Sequence, residues 1–410
     1  MRVLFLNYTF PGPFQHLAAA FGAMPETTLF ASEYGRRDFA LEGVQRVLLS
    51  RPKDKKNKPD LSDLEKLEWD MSMAFQRGRM TASSFLKLRS AGFVPDILIS
   101  SATMGNSLFV RTVFPEAFMI AYGDWYFKKE TPSSTGNSLS SQRSSSARLR
   151  NSLQLLTLSD SNWSFTSTSW QRAQYPPMIA EEMQIIPLCV DTDYFSPSSE
   201  AQFRFDDCDL SDVHDLVTIS ANGMEHSEHL SLFIKSLPAL LARRKGCHVV
   251  ILTGGEQQTL LSLLEKMSWS DAEAVRRVHV LAFLQQEAYR TLLRASSLYV
   301  YPFGSMMLSS GLIEAMSCGC PVLAGDSEAV REVICGGKNG FLYAAEDSIS
   351  LANSIAELLE CSPYMANIRD AARHVAQEKY SVNKAMKKNM AFLLERCAQW
   401  RVYTPLDQRY

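Results

Sequence analysis

The residues with the clearest chemical potential lie in one segment, Tyr301-Pro-Phe-Gly-Ser-Met-Met-Leu-Ser-Ser-Gly-Leu-Ile-Glu-Ala-Met-Ser-Cys-Gly-Cys-Pro-Val-Leu-Ala-Gly-Asp326. An apolar run ends at Tyr301, the small residues Ser309, Ser310 and Gly311 follow, and the pattern from Leu312 to Met316 is helical. A helix that opens on small residues presents unpaired backbone N–H groups, a favourable setting for a diphosphate. Glu314, about one turn into that helix, can accept hydrogen bonds from ribose hydroxyls. Gly319 and Pro321 stop the helix and start the next strand. An ordinary strand–helix turn uses the same residue types, so the bare segment admits both readings.

Other chemical signals are weaker. Asp191-Thr-Asp193 has the form of a tripeptide that holds a divalent ion on a diphosphate when it closes a strand. Here it opens the turn-rich, proline-containing stretch Asp191–Ser199, so it is read as a turn and no metal is expected. The pair Cys318-Gly-Cys320 is too closely spaced for a zinc knuckle. The eight cysteines do not form a disulfide framework pattern; Cys189 and Cys318 sit in apolar runs, where cysteine acts as a small hydrophobe.

The elements that must position these residues are those of an α/β chain. Short apolar runs alternate with helical segments, the mark of parallel sheets. Strands are expected at Val3–Leu6, Ile97–Ser100, Phe118–Ala121, Trp163–Thr166 and Gln184–Pro187. A second series follows at Leu216–Ser220, His248–Thr253, Val278–Leu281, Leu298–Tyr301 and Pro321–Ala324. The break between the two series falls near Asp191–Ser199, giving doubly wound domains over residues 1–195 and 196–383. A helix through Lys384–Gln399, within a tail of about 384–410, would fit a return to the first domain, although periodicity alone does not show the crossing. Thr131–Ser146 is dominated by serine and reads as a loop, either a lid or a plain insertion.

With 410 residues there is material for about two cores. A hydrophobic content of 46% and a charged content of 21% are those of a globular protein. The net charge of -2 offers no general attraction for nucleic acid or an anionic membrane, and the basic run Arg51–Lys58 is interrupted by Asp54 and reads as a solvated loop. No apolar stretch approaches the roughly 18 residues that span a bilayer, and Met1–Asn7 reads as a first strand. A reducing, cytoplasmic setting is expected.

The Tyr301–Asp326 segment resembles the carboxy-terminal signature of the family 4 retaining glycosyltransferases, through Pro302, Gly311, Glu314-Ala-Met316, Cys318-Gly319 and Pro321-Val322. Arg331-Glu-Val-Ile334 and Asn339-Gly-Phe-Leu342 resemble the stretches that follow it. Earlier matches lie in the same order: Phe10-Pro-Gly-Pro-Phe-Gln-His-Leu17, Val113-Phe-Pro115 with Tyr122-Gly-Asp-Trp-Tyr126, Trp170-Gln-Arg172 with Tyr175-Pro176, and Ile186–Asp193. The resemblance implies the GT-B architecture, two Rossmann-like domains facing each other across a cleft. The first domain would be the acceptor side and the second would bind a nucleotide sugar.

The resemblance also implies roles. Glu314 would bind the nucleotide ribose, and the backbone of Ser309, Ser310, Gly311 and Leu312 would hold the diphosphate. Gly12 would let the first loop approach the donor phosphates, having no Cβ in the way. Asp124 or His16 would face the sugar, although either residue type also serves as a satisfied structural group.

Two departures stand against this pattern. Met306 occupies the place of a Glu that contacts the donor sugar in family members, and methionine neither carries charge nor accepts a strong hydrogen bond. After the first strand of the second domain, Asn222 and Glu228 stand where an Arg and a Lys or Arg neutralise the leaving diphosphate. His226, His229, Lys235 and Arg172 are the candidate substitutes.

The function implied is transfer of a sugar, with retention, from a UDP- or GDP-sugar to a glycan, lipid or protein hydroxyl, without metal or other cofactor. The departures support a second reading, a catalytically degenerate GT-B protein that scaffolds an active glycosyltransferase. A peripheral membrane or partner-protein contact stays open on this sequence.

Overall fold

A computed structural model of the chain describes its residues except 36–38, 53–62, 128–139, 207, 222–227, 255–256, 270–271, 283, 303–307, 345–346, 362–364 and 404–410. The chain divides into two compact units, residues 1–187 with 386–410, and residues 188–385.

Unit 1 is built on a seven-stranded sheet of β1 (Val3–Leu6), β2 (Thr28–Ser32), β3 (Val44–Leu48), β4 (Ile97–Ser101), β5 (Phe118–Tyr122), β6 (Trp163–Thr166) and β7 (Gln184–Ile185). The order is β3-β2-β1-β4-β5-β6-β7, and every pairing is parallel. Such strands are covered on both faces and read as continuous apolar runs; β1, Val-Leu-Phe-Leu, is buried at every position. Phe5 meets Phe14, Phe21 and Phe30 on one face, while Leu4, Leu6 and Leu98 pack with Phe85 and Phe114 on the other.

The sequence reading placed five strands in this half; the sheet has seven. β2 has only Leu29, Phe30 and Ala31 between Thr28 and Ser32, and the edge strand β3 is half-exposed and carries Gln45 and Arg46, so neither presents a long apolar run. The serine-rich stretch is also not loop to its end. Residues 128–139 lie outside the described residues, but a helix runs over Ser140–Ser159, because helix propagates cheaply from the packed face downstream (Asn151, Leu153, Gln154, Leu158) into residues of neutral propensity.

The helices of unit 1 used below are α1 (Gln15–Gly22), α2 (Asp63–Ser90) and α3 (Ser140–Ser159). The helix Val382–Tyr403 packs on the same unit: Phe392 lies 5.4 Å from Trp163, Trp400 lies 5.4 Å from Phe118, and Arg401 pairs with Asp96 at 2.5 Å.

Unit 2 carries a six-stranded parallel sheet of β8 (Asp215–Ser220), β9 (Cys247–Thr253), β10 (Val278–Ala282), β11 (Leu298–Tyr301), β12 (Val322–Gly325) and β13 (Phe341–Tyr343), ordered β10-β9-β8-β11-β12-β13. The sixth strand, β13, was not read from the sequence, where it spans only three residues. Its helices are α4 (Glu228–Arg243), α5 (Gln286–Ala295), α6 (Ser310–Ser317), α7 (Ser348–Cys361) and α8 (Ala366–Lys379). Helices α4 and α7 bury Leu230, Phe233, Leu237, Ile355 and Leu359 against one face of the sheet. On the other, α6 and α8 bury Leu312, Ile313, Met316, Ala372 and Ala376.

The Asp191–Ser199 stretch belongs to unit 2, past the division at Pro187. The Val190 N–H donates to the Tyr380 carbonyl and the Val382 N–H to the Val190 carbonyl, both bridging within unit 2. Asp191 Oδ1 accepts from the N–H groups of Asp193 (3.1 Å) and Tyr194 (2.9 Å), which makes the tripeptide an Asx turn. All eight cysteines are free thiols. Among the described residues no helix is long and apolar enough to cross a membrane, and no three His, Cys, Asp or Glu side chains are grouped to hold a metal.

Candidate functional site

In both units the order of strands reverses direction at the first strand. β8 pairs with β9 on one side and with β11 on the other; β1 pairs with β2 and β4 likewise. The connections leaving such a pair depart to opposite faces and open a crevice at the carboxyl ends, the usual ligand position in open α/β sheets.

In unit 2 those connections run from β8 to α4 and from β11 to α6. Asn222 and Met306 fall in them, and both lie outside the described residues. Glu228 opens α4. Ser309, Ser310, Gly311, Leu312 and Glu314 are described, and α6 is built around them. Ser309 is the N-cap, in extended backbone with no side-chain cap bond. Its N–H donates to the hydroxyl of buried Tyr301 at 2.9 Å. The first-turn amides of α6 are therefore not consumed by a capping side chain, and they carry the positive end of the helix dipole.

Gly311 is required by its surroundings. A Cβ there would lie 2.9 Å from the Tyr299 hydroxyl and 3.2 Å from the Tyr289 hydroxyl. Glu314 is half-buried along α6, and its carboxyl takes hydrogen bonds from Tyr289 and Ser310. Loss of solvent pushes it up to about 7, and those two hydrogen bonds only partly oppose the shift.

The far end of α6 is fastened tightly. Gly319, at φ +72°, closes a Schellman motif in which its N–H donates to Met316 O and the Cys320 N–H to Ala315 O, each at 3.0 Å. Arg373 donates to Ser317 O at 2.5 Å and Arg369 to Gly319 O at 3.2 Å, both from α8. Cations on the terminal carbonyls suit the dipole and fix where the amino end of the helix points.

In unit 1, Gly12 follows β1 at φ +53°, and a Cβ there would fall 2.1 Å from Asn7 Nδ2, which donates to Thr9 O. His16 lies half-buried in the first turn of α1. Asp124 follows β5, and its Oδ2 accepts from Ser101 Oγ at 2.5 Å and Thr103 Oγ1 at 2.7 Å. Burial raises its pKa, and the two hydroxyls hold the shift back. His16 and Asp124 thus come from connections after β1 and β5, with β4 between them in the sheet.

Sequence reasoning did not find Tyr289, Tyr299, Ser101, Thr103 or Arg373. Tyr301 was read only as the end of a strand. Each acts on a site residue through space, and none stands in a local pattern with it.

Residues 26–195 match the family model described as glycosyl transferase family 4 group, and residues 209–375 match that of glycosyl transferases group 1. Among known proteins, the GDP-mannose-dependent alpha-(1-6)-phosphatidylinositol monomannoside mannosyltransferase of Mycolicibacterium smegmatis is 26% identical over 209 residues, 48% of this chain and 52% of the relative. The phosphatidyl-myo-inositol mannosyltransferase of Mycobacterium leprae is 26% identical over 136 residues, 33% and 34% of the two chains. The match therefore spans about a third to about half the length of these curated relatives.

Among solved structures, sucrose-phosphate synthase of Thermosynechococcus elongatus superposes with TM-score 0.68 at 13% identity, covering 97% of this chain and 100% of that one. HepE of Anabaena, in complex with UDP, superposes with TM-score 0.65 at 16% identity, covering 96% and 100%. With two successive family models matched and both sheets wound alike, the chain belongs to the family 4 glycosyltransferases and has their GT-B fold.

Proposed function

We propose that this chain transfers a sugar from a nucleotide-diphosphate sugar to a hydroxyl of a glycan, lipid or protein acceptor, with retention at the anomeric carbon. The observation that carries the reading is the amino end of α6 at the β8/β11 reversal: uncapped first-turn amides, with the Glu314 carboxyl about one turn behind. Diphosphate oxygens would take the amides of Ser310, Gly311 and Leu312, and ribose hydroxyls would donate to Glu314. Donors of this shape aimed at a departing diphosphate act on charge as it develops, which is where electrostatic catalysis is strongest. In unit 1, Gly12 would admit the donor phosphates, and Asp124 and His16 would face the sugar. No metal or other cofactor is assigned, and a cytoplasmic location is part of the reading.

The second reading, a catalytically silent partner of an active glycosyltransferase, draws on Asn222, Glu228 and Met306. Removal of one such charge-stabilising donor typically costs about 10²–10³ in rate.

Calorimetric titration with UDP, GDP, UDP-glucose and GDP-mannose separates the two. GDP-mannose comes first because a relative is named as dependent on it. Saturable binding that weakens in Glu314→Ala supports the transferase; absence of binding to all four overturns it and favours the partner reading.

A further inference from the structure

At the carboxyl end of the unit 1 sheet, a second polar cluster gathers around Glu33, Arg51, Arg77 and Asn106. Glu33, just past β2, is 1% exposed. Its Oε1 accepts from Asn106 Nδ2 at 2.7 Å, its backbone carbonyl accepts from Arg51 Nε at 2.9 Å, and Arg77 Nε stands 3.7 Å from its Oε2. That last distance is an ion pair without a hydrogen bond, and Arg77 Nε has no other partner among the described residues.

The cluster is built by close backbone approach. A Cβ on Gly78 of α2 would fall 2.8 Å from Gly105 O, and one on Gly105 would fall 2.5 Å from Ala74 O. These two glycines seat α2 directly on the connection after β4, so that Arg77 and Thr81 reach Asn106 and Glu33. Within that connection Met104 holds φ 64° and is 41% exposed. Left-handed backbone in a non-glycine residue gathers at ligand sites.

Above Glu33 the guanidinium groups are spread on aromatic faces. Arg51 Cζ lies 3.9 Å from the Tyr34 ring centre and Arg77 Cζ lies 5.2 Å from that of Tyr8, with the two rings 4.8 Å apart. Tyr34 is 37% exposed and Arg51 is exposed. Desolvation raises the Glu33 carboxyl against the Asn106 hydrogen bond and the pull of both arginines, so burial costs the carboxylate more than these partners return. A buried carboxylate beneath two arginines contributes little net stability by itself. A planar guanidinium held over a ring is, however, preorganised for bidentate capture of an oxyanion.

We propose that Arg51 and Arg77, set on Tyr34 and Tyr8 over Glu33, bind a phosphate ester carried by the acceptor. The word acceptor rests on the transferase reading; the anion site itself does not. The phosphate belongs either to a soluble phosphorylated polyol or to a lipid headgroup.

The full chain is titrated with glycerol 1-phosphate, with glycerol, and with vesicles of phosphatidylglycerol or phosphatidylcholine. The expected result is binding of glycerol 1-phosphate but not glycerol, weakened about tenfold or more in Arg51→Gln and in Arg77→Gln. Affinity for the nucleotide sugar stays unchanged in both variants. Preference for phosphatidylglycerol vesicles, lost in Arg51→Gln, assigns the phosphate to a lipid. Saturation by glycerol 1-phosphate without vesicle preference assigns it to a soluble acceptor. Equal binding by wild type and Arg51→Gln, or no discrimination of phosphate from glycerol in either format, overturns the site. Arg51 is exposed, so its variant reports even where Arg77→Gln disturbs folding. Loss of nucleotide-sugar binding by the wild type would instead strike the transferase reading and leave the phosphate titration to stand on its own result.

Discussion

Glu314 offers the sharpest test of the donor site, because its environment sets a pH as well as a role. Its carboxyl is pushed up to about 7 by loss of solvent, against hydrogen bonds from Tyr289 and Ser310. The ionised form accepts ribose hydroxyls strongly and the neutral form weakly. At pH 8 about nine-tenths of the side chains are ionised, and at pH 6 about one-tenth, so affinity for the donor falls about tenfold over that interval. The ligand should be a nucleotide-diphosphate sugar, since the terminal phosphate of a free diphosphate itself titrates near pH ~6. Calorimetry at half-unit steps gives the curve. Glu314→Gln keeps an acceptor oxygen and removes the charge; its affinity should be independent of pH and about tenfold below wild type at pH 8. A flat wild-type profile between pH 6 and 8 would refute the reasoning. So would an unchanged slope in the Gln variant, which would place the titrating group elsewhere.

The same carboxyl should mark the stability of unit 2. With the folded pKa raised from 4.5 to about 7, its contribution is whole below about pH 4.5 and is lost as pH rises through 7. Glu314→Gln should therefore be neutral near pH 4.5 and stabilising by about 3 kcal/mol at pH 8, read from urea titrations at both pH values. Gly311→Ala sets a methyl 2.9 Å from the Tyr299 hydroxyl and should cost about 1–3 kcal/mol. A melting transition unmoved from wild type would deny that the helix start is tightly packed. Gly12→Ala meets both the positive φ and Asn7 Nδ2 at 2.1 Å, so a loss of about 1 kcal/mol or more is expected. A double-mutant cycle with Asn7→Ala should recover part of that loss; full additivity would mean the steric argument is wrong.

Much of the architecture was legible because parallel strands covered on both faces are simple to see. β1 and β11 begin and end where their apolar runs do. β3 was hidden because an edge strand with Gln45 and Arg46 keeps no such run. The start of α6 was legible for a similar reason, since cap, amides and Glu314 lie within one short stretch of chain. What holds Glu314 and the far end of α6 was not. Tyr289 comes from α5 and Arg373 from α8, and only the folded sheet brings them to α6. The hydroxyls on Asp124 come from the end of β4, more than twenty residues earlier. Ser and Thr at a strand end carry no mark of the carboxylate they will meet.

Unit 1 is discontinuous in sequence, since it includes residues 386–410 as well as residues 1–187. During synthesis the Trp163 and Phe118 side chains must wait for Phe392 and Trp400, which emerge after all of unit 2. Unit 2 is an uninterrupted stretch, 188–385, and can finish its sheet first. For part of its life on the ribosome the chain then has a complete second unit beside a first unit whose apolar flank is still bare. A stop codon ahead of Phe392 would make that state permanent. The damage would fall on the unit made first, while the unit adjoining the truncation stayed intact.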